Sequence, residues 1–68
     1  MLGPRERAKW QLREEMAPGV WYDSAEVRDA VMRAADCGHA TVLKALRELD
    51  ADIDFHGRGG SHWRLPAA

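Results

Sequence analysis

Residues 36–49 read "DCGHATVLKALREL". At about 100° per residue, Val42, Ala45, Leu46 and Leu49 fall on one flank of a helix. His39, Ala40, Lys44 and Arg47 fall on the other, with Leu43 at the border. One flank is apolar enough to bury, and the other is left for water or a partner. Ahead of the helix, Asp36-Cys37-Gly38 reads as a turn. Asp tolerates left-handed backbone, a small thiol fills an apolar site, and Gly is a serviceable though weaker cap. The helix is expected over about 39–50.

Working back, "DSAEV" starts another helix, over about 24–35. Asp23 or Ser24 supplies the capping oxygen, and Glu26 lies three residues after Asp23. Its buried stripe is expected to be Val27, Ala30, Val31 and Ala34. "GVWY" is short, β-branched and aromatic and lies between turn residues, so a strand is expected over about 20–22, with Trp21 or Tyr22 facing the core. Pro4 suits a first helical turn, and a helix over about 4–16 stops at "APGV". Ala8, Leu12 and Met16 form its buried stripe, with Trp10 on the far side.

Downstream, "DIDFHGRGGSHWRL" alternates with period 2. Residues paired across a hairpin share a face. Matching Phe55 with Trp63 and Ile53 with Leu65 gives one register, which sets His56 opposite His62 and Asp54 opposite Arg64. Arg58-Gly59-Gly60 would then be a three-residue loop with Gly60 left-handed. The hairpin spans about 52–65. The fold expected is thus α+β: three helices, a short strand after the first helix, and a C-terminal β-hairpin, all in one domain over 1–68.

The run "SAEVRDAVMRAADCGHATVLKALREL" resembles the helix-turn-helix of winged-helix DNA-binding domains from phages, plasmids and actinobacteria. The resemblance lies in Thr41-Val42 followed by Ala45-Leu46 after a small-residue turn. "GRGGSHWRLP" is similar to the wing of modules found at the C-termini of phage and plasmid replicative ATPases. Together these segments cover roughly Leu12 to Pro66. The chain departs from the pattern in its turn residues, in Leu43 where related helices often carry Arg, and in Trp10, one position from a commonly buried Trp. The resemblance implies a recognition helix in the major groove of double-stranded DNA and a wing on the adjacent backbone or minor groove. It implies a role in phage or bacterial transcription, replication or recombination.

Carried onto this sequence, the candidate nucleic-acid-binding residues are His39, Ala40, Thr41, Leu43, Lys44, Arg47 and, in the wing, Arg58. The charge balance tempers that reading. Ten Lys and Arg stand against eleven Asp and Glu, a net charge of −1, whereas a protein that simply coats phosphates is strongly basic. The stripe Arg5, Lys9, Arg13 runs beside Glu6, Glu14 and Glu15 and reads first as a solvated, ion-paired face. The alternative function is protein–protein interaction, with a homodimer or a partner protein docking through Trp10 and Leu43.

Other classes find less support. Cys37, His39, His56 and His62 raise the question of zinc, but structural zinc sites use tighter, repeated spacings, and no metal is expected. Nothing pairs a nucleophile with a base and an orienting group, and 68 residues leave little room for a closed pocket. Neither an enzyme, a cofactor nor a small-molecule substrate is expected. One Cys cannot form an internal disulfide, and no apolar run approaches the roughly 18 residues of a membrane span. The N-terminus reads as no secretory signal. A cytoplasmic protein without membrane association is the expectation.

Overall fold

The computed structural model describes residues 2–55 and 60–67. The chain is α+β, with three helices and a three-stranded antiparallel sheet. In order these are α1 (Pro4–Glu15), β1 (Trp21–Asp23), α2 (Ser24–Ala35), α3 (His39–Glu48), β2 (Asp52–Phe55) and β3 (Ser61–Arg64). The strands lie in the order β1-β3-β2. This is a winged-helix-like arrangement.

α1 starts on Gly3 and Pro4, whose missing N–H is one the first turn would leave unpaired anyway. It buries Ala8, Leu12 and, at its C-cap, Met16. Arg7 is the residue the periodicity does not announce. Its Nε donates to the Ala35 carbonyl (3.1 Å) and its Nη1 to the Leu2 carbonyl (3.1 Å). The guanidinium thereby serves an orphan carbonyl and the negative end of α2 together.

α2 is capped by Asp23, whose Oδ2 accepts the Glu26 N–H (3.2 Å). Asp23 also closes β1, so that strand sits one residue later than the expected 20–22. The buried row of α2 is Val27, Val31 and Ala35. Ala30 is only half-buried and Ala34 is exposed, contrary to the expected stripe. The reason lies in packing: α1 crosses the end of α2 and turns its buried face toward Ala35, leaving Ala34 on the rim beside Trp10.

Two aspartates end the helices of the central pair. Asp36 is left-handed (φ 51, ψ 59) and stops α2, and the Cys37 N–H returns to the Met32 carbonyl (3.2 Å). Asp50 is also left-handed (φ 56), and the Ala51 N–H returns to the Leu46 carbonyl (3.0 Å). These are the same closing bond, six residues back to one, that glycine usually permits. It explains why α3 ends at Glu48, short of the expected residue 50. Val42, Ala45 and Leu46 are buried, and Leu49 packs partly against them.

The hairpin register differs from expectation by two residues. Ile53 pairs with Trp63, Asp52 with Arg64, Asp54 with His62 and Phe55 with Ser61. A slip of two keeps every side chain on its face, whereas a slip of one would invert them. Two interactions favour the observed register. Arg64 makes a double contact with Asp52 Oδ2 (Nε 3.0 Å, Nη2 2.8 Å) and lies over the Trp21 ring, 4.4 Å from its centre. Leu65, expected opposite Ile53, instead offers its carbonyl to the Gly19 N–H (2.9 Å) and buries its side chain. Trp63 is buried between Ile53 and Tyr22, and the Tyr22 hydroxyl accepts the Ala17 N–H (2.9 Å). Trp21 faces outward. Gly60 is left-handed (φ 83), as expected, but the three-residue loop is not: five residues separate the paired Phe55 and Ser61. His62 pairs with Asp54 and not with the expected His56, which lies with Gly57, Arg58 and Gly59 outside the described residues.

A β-branched side chain cannot adopt the Asp50 backbone without steric conflict. Asp50→Val is expected to lower unfolding stability by about 1–2 kcal/mol, while Asp50→Gly maintains or raises it. Urea unfolding of the two variants against the parent measures the difference.

Candidate nucleic-acid interface

α3 is built as a two-sided element, and its sides separate as its periodicity requires. Val42, Ala45 and Leu46 close onto the core. His39, Ala40, Lys44 and Arg47 are exposed, while Thr41 and Leu43 are half-buried at the boundary. Six of the seven candidate residues are thus brought to one element; the seventh, Arg58, lies outside the described residues.

Among the described residues, β2 and β3 flank this face without covering it. A groove runs between α3 and the sheet, with His39 and Leu43 on one wall and Ile53 and Phe55 on the other. Arg28 and the hydroxyls of Ser24 and Ser61 line it too, and Trp63 lies at its base; the two hydroxyls bond each other (2.7 Å). Ile53 is 41% exposed and Phe55 79% exposed. Neither residue was expected in an interface, because the expected register placed both in the core. The two-residue slip carries them beyond it. Arg28 was missed as well. Nothing in its spacing singles it out, and it reaches the groove only because α2 starts beside β3.

The cations sort into two groups. Arg5 Nε meets Glu48 Oε2 at 2.8 Å, and Lys9 Nζ meets Glu6 (2.9 Å) and Glu48 (3.1 Å). The α1 stripe is therefore ion-paired, as its neighbouring glutamates suggested, and tied to α3 through Glu48. The hydrogen bonds Lys9 donates to Glu6, then to Glu48, raise its ammonium above the ordinary lysine range. Arg64 pairs with Asp52, not with the expected Asp54, and Arg28 leans on Asp29 (3.2 Å). Lys44 and Arg47 make no ion pair with another described residue.

Cys37 packs partly against the core, and burial pushes its thiol up, opposed by the charge of Arg7. Among the described residues, no three His, Cys, Asp or Glu side chains are placed to hold a metal ion. No helix among them is long and apolar enough to cross a membrane. On another part of the surface, Leu2 (57% exposed), Trp10 (56% exposed), Gln11 and Ala34 border a shallow hollow, separate from the groove that Leu43 lines.

No protein-family model, curated protein or solved structure matches the chain.

A raised thiol leaves less thiolate at a given pH, and thiolate is the reactive form. Alkylation of Cys37 by iodoacetamide at pH 8 is expected to be slower in the folded chain than in urea. Equal rates, read by mass spectrometry, would contradict the burial assigned to it.

Proposed function

We propose that this chain is a small module that binds double-stranded DNA, with α3 in the major groove and the hairpin against the neighbouring backbone. The observation that carries the reading is the outward flank of α3. It presents His39, Ala40, Lys44 and Arg47 to solvent, bordered by Thr41 and Leu43. A cation already held by a carboxylate offers little to a phosphate. The distribution of ion pairs therefore supports α3 over α1 as the contacting element, since Arg5 and Lys9 are engaged with Glu48. Arg47 and Lys44 serve guanine edges or phosphates, and Thr41 is placed for a phosphate at the boundary. Arg58 joins the site on its sequence alone. Transcription, replication or recombination in a phage or bacterium is the setting that the sequence resemblance suggests.

With so few cations free, affinity for a single duplex is weak, and a second copy or a tethered protein would add to it. The exposed Trp10 and Leu2 give such a partner a place to dock that leaves α3 open. A purely protein-binding role through Trp10 and Leu43 together is less favoured, because the two residues line separate hollows.

Fluorescence anisotropy with a labelled 20-base-pair duplex at low salt tests the reading. Arg47→Ala is expected to weaken binding roughly tenfold, and Arg5→Ala to leave it nearly unchanged. For two or three phosphate contacts, log K should fall with log salt at a slope of about −2 to −3. Failure to bind any duplex would overturn the proposal, as would equal effects of the two variants.

A further inference from the structure

Resting on that DNA-binding reading, we propose that the groove between α3 and the hairpin reads the C5-methyl group of thymine, through Leu43, Ile53 and Phe55. The argument starts from alternation along β2. Successive side chains of a strand point to opposite faces, so Asp52 and Asp54 lie on one face of the hairpin and Ile53 and Phe55 on the other. Asp52 is engaged there by Arg64, and Asp54 lies opposite His62. Every acidic side chain of β2 is thereby turned away from α3. The described residues lining the groove include no carboxylate, and their charged or titratable members are Arg28 and His39. An apolar channel with no carboxylate among its described lining residues, beside an α3 flank whose Lys44 and Arg47 make no ion pair with another described residue, suits a polyanion that exposes apolar groups between its charges.

Duplex DNA has one such group. Among the major-groove edges of the four bases, the thymine methyl is the apolar feature; the rest are hydrogen-bond donors and acceptors. Between the donors His39, Lys44 and Arg47 on α3, Ala40 and Leu43 can offer apolar contact alone. Phe55 adds a side chain that is 79% exposed at the last paired position of β2. An aromatic ring left in water at that position is better matched to a methyl than to a phosphate. Specificity in this module then rests on apolar contact more than on bidentate hydrogen bonding, and thymine-containing sites are preferred.

The test replaces thymine by uracil, which removes the methyl and keeps the base-pairing edge. Binding to a 20-base-pair alternating AT duplex is compared with the same duplex carrying uracil, by anisotropy at low salt. Each methyl contacted should contribute about fourfold, so loss of two weakens binding about fifteenfold. Phe55→Ala leaves the core intact and should move the thymine-to-uracil ratio toward one; Leu43→Ala should do the same. Equal binding of both duplexes by the parent protein would overturn the inference while leaving DNA binding in place. So would a ratio unchanged by Phe55→Ala. Failure to bind either of these duplexes or an alternating GC duplex would overturn the DNA-binding reading itself. Sedimentation in which the parent is a dimer and Phe55→Ala a monomer would assign the groove to a second copy and overturn the inference.

Discussion

Burial of one flank of α3 is the constraint on which the rest of the molecule depends. Val42, Ala45 and Leu46 have no other place to go, and the core they enter is completed by Ala8, Leu12 and Met16 from α1, Val27, Val31 and Ala35 from α2, and Trp63 and Leu65 from the C-terminal segment. Ala8 and Ala45 are both fully buried. Small side chains at such positions let helix axes approach closely, and a larger one would meet an interior with few voids. With the inner flank committed, the angular position of His39, Lys44 and Arg47 is no longer free. Whatever α3 does outwardly follows from what it does inwardly.

Much of this was legible in the sequence. The α3 stripe is a clean 3.6-residue pattern, and both sides of it are found where the pattern puts them. Asp23 as a cap and Asp36 as a left-handed residue follow from short side chains that bond or tolerate unusual backbone locally. The parts that were not legible share a different property: they depend on a choice among equivalent alternatives, settled far along the chain. Two hairpin registers two residues apart give the same faces, and apolar matching favours one of them. Arg64, held by Asp52 and stacked on Trp21, favours the other. Ala34 and Ala35 are interchangeable by composition, and the crossing of α1 decides between them.

The candidate site shows the same division. The outward residues of α3 were readable because a helix imposes its own geometry. The facing wall was not, because Ile53 and Phe55 look like core residues in any pattern-based reading and are exposed only through the register. Glu48 is a further instance. It lies on α3, yet its partners Arg5 and Lys9 are about forty positions earlier. Exposed pairs of this kind contribute little to stability, but they decide which cations remain for a partner.

Strand order carries one last consequence. With β3 in the middle, β2 is an edge strand, and its outer backbone groups have no neighbour in the sheet. Edges of this kind invite the same strand of another molecule, and the bare ring of Phe55 would add to the attraction. Asp52 and Asp54 work against it, since any second β2 laid alongside brings its own carboxylates to the same face. The alternation that keeps carboxylates off the groove wall thus also sets like charges against any second β2 at the open edge.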